Sequence, residues 1–363
     1  MTLSIKPAGS SRWDAVALGE VMLRLDPGES RIRTARSFTA WEGGGEYNLI
    51  RGLRKTFNLK TTVVTALVDN EIGRLLEDLI LQGGVDTSFI KWSPFDGIGR
   101  AERNGLNFTE RGFGVRAPLG ISDRGHSATS KLKPGSIEWS ELFKAQGARW
   151  FHTGGIFAAL SESTAPLLIE GADAARSSGA TVSFDFNYRA SLWKTLEKNL
   201  DVQKTFEHIM EHTDVVLGSD SDFTRALGYQ PPSSANTPES RFEAAGTWLM
   251  KKFSGIKLVT SLLRTESSQA SGQCSLGARA LGTAGLAVCE PIDNLATFDR
   301  VGSGDCFGSG LVYGLLSGRS LPEALRLGVA HAALTLTTPG DNSMMAAQEV
   351  EELARAGKLK LAR

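Results

Sequence analysis

The sequence predicts an α/β fold with a mostly parallel central sheet. Extended, β-branched runs alternate with helical patterns: a buried-type strand at 61–68 precedes a helix over 69–82 and another strand over 85–92. Strands that alternate with helices usually pair in parallel through right-handed crossovers. With 363 residues, 41% of them hydrophobic and 22% charged, the chain is long enough for one large α/β domain or two modest ones.

The N-terminal part contains further strands and one region of different composition. Residues 13–25 predict a strand, a turn and a second strand, and a helical pattern follows the glycines at 43–45. The region 97–122 is rich in Gly and Arg, with short extended pieces at 105–109 and 114–118 that could bury little by themselves.

The C-terminal part continues the alternation. Strands are predicted at 148–155, 181–189, 214–218 and 256–264, and helices at 163–178, 331–336 and 346–363. An acidic helix start follows the strand at 214–218, and the segment 338–341 is expected to cap the helix at 331–336.

Charge and cysteine content argue against several classes of protein. Lys plus Arg and Asp plus Glu both number 40, so no basic excess points to nucleic acid or to a membrane surface. Cys274, Cys289 and Cys306 have no metal-ligand spacing, and Cys306 is expected to be a small buried residue. Because we find no apolar run of membrane-spanning length and no signal-peptide core, we expect a cytoplasmic protein.

The stretch 299–310 carries the clearest chemical information. Gly302 and Gly304 allow a tight turn that leaves amide groups uncovered at the start of an apolar helix, which is a ready anion site. Asp305 lies in the first turn of that helix. The amides could hold the charge of a moving phosphoryl group while Asp305 takes the proton of the accepting hydroxyl. A capped loop without function is the alternative, since Ser and Asp are ordinary cap residues.

The stretches 299–305 and 44–48 resemble the signatures of the ribokinase-like (PfkB) sugar kinases. The C-terminal signature is usually Asp-Thr-x-Gly-Ala-Gly-Asp; here Arg300 and Ser303 replace Thr and Ala, in a form similar to the 2-keto-3-deoxygluconate kinase branch. Blocks at 123–127 and 187–193 also match and keep the family's order. The resemblance implies one ribokinase-like three-layer domain over 1–363, with helices flanking the sheet and a small β lid formed by about 20–40 and 97–122.

The resemblance also implies roles for individual residues. Asp305 would be the catalytic base, and the amides of Gly302, Ser303 and Gly304 would form the anion hole. Residues expected to bind the sugar are Gly44, Gly45, Asn48, Asn107, Arg124 and Arg189. Residues expected to bind ATP are Asn187, Ser219, Arg264, Gly302 and Gly304, and the segment 338–341 would lie near the adenine. Asp222 would reach a metal through water.

Several of these residues have a second interpretation. The family carries Asn-x-x-Glu where this chain has Ser219 and Asp222, and N-capping explains both residues equally well. An Arg at position 124 suits a sugar carboxylate because its fork binds both oxygens, whereas Arg189 could form only a surface ion pair. Asn107 and Ser122 stand where the 2-keto-3-deoxygluconate branch usually has aromatic hydroxyls.

The resemblance therefore implies ATP-dependent phosphorylation of a sugar acid at a primary hydroxyl, with 2-keto-3-deoxygluconate and its 6-phosphate as the first choice. The same chemistry on another ketose, such as fructose or tagatose, is the alternative, and a catalytically silent sugar-binding protein is a third. The expected cofactors are ATP and Mg²⁺; many relatives also use a monovalent cation such as K⁺ near the anion hole, which the sequence leaves open. A homodimer formed through the lid is expected.

Overall fold

The computed structural model describes residues 3–113, 115–266 and 272–357. The chain divides into two compact units. The first unit comprises Met1–Leu18, Ser130–Ser261 and Arg279–Val288, and the second comprises Gly19–Thr129, Leu262–Ala278 and Cys289–Arg363.

Strands and helices alternate along much of the chain. The strands are β1 (Trp13–Leu18), β2 (Met22–Asp26), β3 (Thr39–Gly43), β4 (Thr61–Asp69), β5 (Ile90–Pro94), β6 (Leu106–Glu110), β7 (Leu119–Asp123), β8 (Ala148–Gly154), β9 (Thr181–Asp185), β10 (Val215–Leu217), β11 (Leu258–Glu266), β12 (Gln273–Gly282) and β13 (Gly285–Ala296). The helices are α1 (Gly45–Lys55), α2 (Glu71–Gln82), α3 (Gly155–Ala158), α4 (Thr164–Ser177), α5 (Ala190–Leu196), α6 (Val202–Glu211), α7 (Asp220–Leu227), α8 (Pro238–Lys252), α9 (Ser303–Leu316), α10 (Leu321–Thr335) and α11 (Ala347–Ala356). None of the helices in these described ranges is long and apolar enough to cross a membrane.

The first unit is built on parallel strands. β1 pairs with β8, β8 with β9, β9 with β10 and β10 with β11, all in parallel. These strands are buried almost throughout, as expected where helices cover a parallel sheet. Phe186, which follows β9, stacks on Phe206 of α6 with ring centroids 5.2 Å apart. The predicted parallel α/β architecture is therefore present in this unit.

The second unit contains the parallel pair β4–β5 and a separate four-stranded sheet in the order β3-β2-β6-β7. In that sheet β2 pairs antiparallel with β3 and parallel with β6, while β6 pairs antiparallel with β7. Its strands come largely from the segments predicted to form a lid, and the role of a lid stays a prediction. α9 packs on α10 at short range: a Cβ at Gly310 would lie 2.5 Å from the carbonyl oxygen of Leu327.

Two strand predictions are wrong in position. The strand predicted at 85–92 is β5 at Ile90–Pro94, because Asp86 accepts a hydrogen bond from Ser88 N at 3.0 Å and closes a turn first. The extended piece predicted at 114–118 is replaced by β7 at Leu119–Asp123. Before β7, Phe113 and Arg116 exchange backbone hydrogen bonds in a tight turn; Gly114 lies outside the described residues.

Other differences concern the C-terminal part. Strands β12 and β13 and helix α8 were not predicted. The helix predicted at 331–336 is the end of α10, whose C-cap is Leu336, so the segment 338–341 does not cap it directly. The tail helix is α11, and residues 358–363 of the predicted helix lie outside the described part of the chain.

Candidate active site

The start of α9 has the open form that the sequence predicts. Gly302 is the N-cap residue, with φ 78°, and no side chain caps the helix. A Cβ at Gly302 would lie 1.8 Å from the backbone oxygen of Asp341, so both the backbone angle and the close approach require glycine. The first amide groups of α9 therefore keep the unsatisfied donors of a helix N-terminus.

The next two residues fix this turn and leave room beside it. Ser303 Oγ donates to the backbone oxygen of Ala332 at 3.2 Å, which ties the start of α9 to α10. A Cβ at Gly304 would meet no other atom within 4 Å. Space for a ligand group therefore lies beside the first turn of a 14-residue helix whose dipole favours an anion there.

Asp305 is oriented by the second glycine-rich turn. Asn48 Nδ2 donates to Asp305 Oδ2 at 2.7 Å, while Asn48 Oδ1 accepts from Gly44 N at 3.2 Å. Gly44 is irreplaceable on steric grounds, since a Cβ there would lie 1.9 Å from the backbone oxygen of Glu20, and Gly45 begins α1. The structure thus brings together Gly44, Asn48 and Asp305 of the predicted set.

A buried ion-pair cluster lies under this turn. The Arg24 side chain is fully buried; Nη2 lies 2.6 Å from Asp299 Oδ2, and Nη1 donates to Asp341 Oδ1. Asp26 Oδ2 lies 3.5 Å from Arg24 Nη2. Burial raises the pKa of Asp341, and Arg24 acts against that change. The segment 338–341 was predicted to lie near a bound adenine, but Asp341 itself is held in this cluster.

Arg124 and Asn107, both predicted to bind the substrate, already have partners. Arg124 Nε lies 2.9 Å from Glu20 Oε2, and Arg124 Nη2 lies 3.0 Å from Met22 Sδ. Burial raises the pKa of Glu20, and the Arg124 charge opposes the rise. Asn107 donates to Thr109 Oγ1 at 3.1 Å and accepts from Ser122 Oγ at 3.2 Å.

Arg264 lines a cavity of about 420 Å³ in the second unit. Asp299, Arg300 and Val301, which precede the anion-hole glycine, line the same cavity, as do Arg111 and Arg116. Arg264 Nε lies 3.1 Å from Glu266 Oε1 at the end of β11. The cavity therefore joins several guanidinium groups to the segment that leads into α9, a combination suited to phosphate groups.

The other predicted residues belong to the first unit. Asn187 has φ 31°, and its backbone N–H donates to Asp185 Oδ1 at 3.1 Å. Arg189 is exposed and precedes α5. Ser219 and Asp222 form a capping box on α7: Asp222 Oδ2 accepts from Ser219 N at 2.9 Å and from Ser219 Oγ at 2.7 Å. N-capping, the alternative left open above, accounts for these two contacts.

The sequence analysis did not predict the buried ion pairs of Arg24 with Asp341 or of Glu20 with Arg124. The only signal for Arg24 was a charged residue between Leu23 and Leu25 in a strand followed by Asp26, and alternation predicts an exposed side chain there. Cys306 was predicted correctly as a buried residue, and burial raises the pKa of its thiol to about 12.

Comparison with known proteins places this geometry in a family. The model of the pfkB family carbohydrate kinases matches residues 14–348. A 2-dehydro-3-deoxygalactonokinase from Haloferax volcanii is 28% identical over 346 residues, which cover 95% of this chain and 97% of the relative.

Solved structures agree. The structure of a 2-dehydro-3-deoxygluconokinase from Thermotoga maritima is 30% identical, covers 94% of this chain and 99% of its own, and superposes with a TM-score of 0.83. A protein from E. coli described as a ribokinase II, solved with ATP and Mg²⁺, is 18% identical, covers 94% of this chain and 99% of its own, and has a TM-score of 0.74, which shows a shared fold alone. The fold is thus the predicted ribokinase-like α/β fold, and the chain belongs to the pfkB family of carbohydrate kinases.

Proposed function

We propose that this kinase transfers the γ-phosphoryl group of ATP to the primary hydroxyl of a 2-keto-3-deoxy sugar acid, with Asp305 as the general base. The observation that carries the proposal is the Asp305 carboxylate, held 2.7 Å from the Asn48 amide at the open N-terminus of α9. A carboxylate oriented by a hydrogen bond and placed beside the open space at Gly304 is suited to deprotonating an attacking hydroxyl.

The proposed step uses the two glycine turns together. The substrate hydroxyl gives its proton to Asp305 as its oxygen forms a bond to the γ-phosphorus, and the bond from that phosphorus to the β-phosphate oxygen breaks to release ADP. The amides of Gly302, Ser303 and Gly304 stabilise the charge that develops on the transferred group. The products are ADP, the sugar phosphate and one proton.

The cavity beside α9 supports ATP as the phosphoryl donor. Its volume of about 420 Å³ and its arginines, Arg264 and Arg300 among them, suit the triphosphate of a nucleotide. Mg²⁺, when bound, neutralises the β- and γ-phosphate oxygens. Asp222 uses Oδ2 in its capping box, so Oδ1 is the atom that would hold a metal-bound water.

Support for a sugar acid comes from the relatives named for 2-dehydro-3-deoxy acids. Arg124 can serve such a substrate only in part. Its Nε remains with Glu20, whereas its Nη2 meets the sulfur of Met22, a weak acceptor that a substrate carboxylate would replace. As the family resemblance implies, we propose that Arg189 contacts the substrate and that Asn187 contacts ATP. The gluconate and galactonate skeletons differ at one carbon, and the assay below compares both.

Turnover of ATP with a panel of acceptors tests the proposal. We expect the specificity constants for 2-keto-3-deoxygluconate or 2-keto-3-deoxygalactonate to exceed those for fructose and tagatose by about a hundredfold or more. Arg124→Ala should reduce turnover of the acids far more than that of the neutral ketoses, whereas Arg103→Ala, whose partner is the exposed Asp123 on β7, serves as the matched control. A wild-type preference for fructose or tagatose would show that the substrate is a neutral ketose and not a sugar acid.

We also propose that the four-stranded sheet acts as a lid and forms a homodimer. β7 is an edge strand of that sheet with all five residues exposed, including Leu119 and Ile121. A second copy of the chain would cover these apolar side chains and the strand edge. Light scattering at micromolar concentration should show a dimer for the wild type and a monomer for Ile121→Glu; a wild-type monomer would contradict the proposal.

A further inference from the structure

Arg24 is a permanent positive charge enclosed beneath the anion hole. Its side chain has no exposed surface, and its two terminal nitrogens reach Asp299 and Asp341. Asp299 begins the segment that turns into α9, and Asp341 follows Gly340, whose amide donates to Asp299 Oδ2 at 3.3 Å. One guanidinium group therefore clamps two chain segments that are far apart in sequence.

These two segments build the floor of the anion hole. The backbone oxygen of Asp341 lies where a Cβ of Gly302 would be, which fixes the turn before α9. The Asp341 carboxylate also packs against Gly43 and leaves no room for a Cβ there, and the N–H of the neighbouring Gly44 donates to Asn48, the residue that orients Asp305. A chain of contacts thus runs from Arg24 through Asp341, this glycine turn and Asn48 to the proposed base.

The carboxylates of the cluster are already well supplied with donors. Asp299 Oδ1 accepts from Val301 N at 3.1 Å, and Asp299 Oδ2 receives both Arg24 and Gly340 N. Asp26 accepts from Gly28 N at 2.7 Å and lies 3.2 Å from Arg111 Nη2. The carboxylate oxygens of Asp299 and Asp26 are therefore already bound to guanidinium and amide groups, and they do not fit a monovalent metal ion.

We infer that Arg24 is a positioning residue that supplies, from within the chain, the cation at the base of the anion hole, so that turnover requires no monovalent cation. The inference rests on the proposed phosphoryl transfer. A guanidinium group is always charged and binds two carboxylates through fixed forks, so it holds the turn without exchanging with solvent. An ion such as K⁺, in contrast, would have to bind from solvent before the turn adopted its active conformation.

The wild-type enzyme provides the first test. Turnover is measured at constant ionic strength with K⁺, Na⁺ or choline as the monovalent cation, using the acceptor that the panel identifies. We expect kcat and KM to agree within about twofold among the three salts. A loss of activity in choline that K⁺ restores by about tenfold or more would overturn the inference.

A measurement independent of turnover separates this inference from the proposed function. Melting temperatures, with and without ATP, should be equal in potassium and choline chlorides, because an ion that bound only the folded state would raise them. Should no acceptor be phosphorylated, the proposed function fails, and a K⁺-specific rise in melting temperature would still refute the role given to Arg24.

Substitution of Arg24 gives the second test. Arg24→Ala leaves buried carboxylates unpaired and should lower kcat by about a hundredfold through misplacement of the turn. Low concentrations of guanidinium should restore part of kcat, whereas choline should not, and Arg24→Lys should be intermediate. Arg149→Ala is the matched control: Arg149 is also buried and pairs with Asp14 at 2.9 Å, in the first unit. It should lower stability without a guanidinium-dependent change in kcat.

The Arg24 and Arg149 variants could also refute the role that we infer for Arg24. Near-native kcat in Arg24→Ala, or guanidinium rescue of Arg149→Ala to the same extent, would show that Arg24 contributes only ordinary packing. If Arg24→Ala does not fold, the wild-type salt series and the Arg24→Lys variant decide the question.

Discussion

Two helices of this chain, α7 and α9, begin at a Gly-Ser pair, and their first turns are capped in opposite ways. At α7 the sequence Gly218-Ser219 leads to Asp222, and Ser219 and Asp222 cap each other's backbone amides. At α9 Gly302-Ser303 leads to Asp305, no side chain caps the helix, and the Ser303 hydroxyl is drawn away to α10. One helix start is closed by its own side chains, whereas the other is left open.

The difference lies in where the serine stands relative to the helix. Ser219 is the N-cap residue with extended backbone angles, which lets its oxygen face the amide of Asp222. At α9 the N-cap is Gly302 in the left-handed region, so Ser303 is already inside the helix and cannot perform that role. A change of one position in register thus separates a stabilising cap from the uncapped helix start that we propose as the anion site.

The largest difference between the two helix starts is expected when the carboxylates of Asp305 and Asp222 are replaced. Asp305→Asn should lower kcat by about a hundredfold to ten-thousandfold because the amide cannot accept the substrate proton. The melting temperature and sugar binding should stay close to wild type, since the amide oxygen can still accept the hydrogen bond from Asn48. Steady-state kinetics at saturating ATP, with a thermal melt, provide the measurement.

Asp222→Asn is the matched control on α7. Loss of its capping box should cost about 1 kcal/mol of stability, and loss of the proposed contact with a metal-bound water should lower kcat far less than Asp305→Asn does. A large fall in kcat for Asp222→Asn, with a changed dependence on Mg²⁺, would favour the metal role. Near-native turnover of Asp305→Asn would remove Asp305 from the mechanism.

The two glycines of the anion hole should respond differently. Gly302→Ala forces a Cβ against the Asp341 oxygen and into the left-handed region, so we expect lower stability and a loss of kcat of about a hundredfold. Gly304→Ala meets open space; its stability should be unchanged or higher, but the methyl group should reduce turnover by about tenfold by crowding the phosphate. Equal turnover of Gly304→Ala and wild type would mean that no ligand occupies this space.

The contact between Asn48 and Asp305 predicts a smaller effect. Asn48→Ala removes the hydrogen bond of 2.7 Å that orients the base, and we expect kcat to fall by about tenfold. Asn104→Ala is the control, because Asn104 is a buried amide in the same unit that accepts from Val68 N at 2.9 Å. Both variants should lose stability. Only the Asn48 variant should show a lower kcat per folded molecule. An equal loss of kcat in the Asn104 variant would assign Asn48 a purely structural role.

The parts of the site that are local in sequence could be predicted from it. The glycine turn, the first-turn position of Asp305 and the helix that follows depend on neighbouring residues, whose preferences are known. The contacts that complete the site join residues far apart: Asn48 and Asp305 are separated by 257 positions, and Arg24 and Asp299 by 275. Such pairs depend on tertiary packing, which periodicity does not encode.

Arg124 shows a related limit. The sequence presents a charged side chain near other polar residues, and its expected partner was a substrate carboxylate. The structure supplies a carboxylate from within the chain, because the strand geometry places buried Glu20 beside it. In the same way, β13 lacks a clear alternating pattern and is half-exposed along its length, so sheet pairing rather than local preference determines it.

The smallest predicted effect is a loss of stability at acid pH. It must be known so that unfolding is not mistaken for a loss of activity. Burial lowers the pKa of His331 on α10 and of His152 on β8 to about 3 each. In the unfolded chain a histidine titrates near pH 6.5, so below that value the unfolded state binds protons that the folded state does not. The free energy of unfolding should therefore be highest above about pH 6.5 and fall on acidification, by at most about 1.4 kcal/mol per pH unit for each histidine.

His331→Gln tests the assignment because it removes one of these two groups. Its unfolding free energy should depend less steeply on pH between about pH 6 and 5 than that of the wild type. Denaturant titrations at each pH give the slopes, and equal slopes for His331→Gln and wild type would show that His331 is not kept neutral. Since α10 packs against α9 and holds Ser303 through Ala332, acid loss of activity must be compared with this unfolding curve. Only a loss of activity at pH values where the protein remains folded can be assigned to the active site.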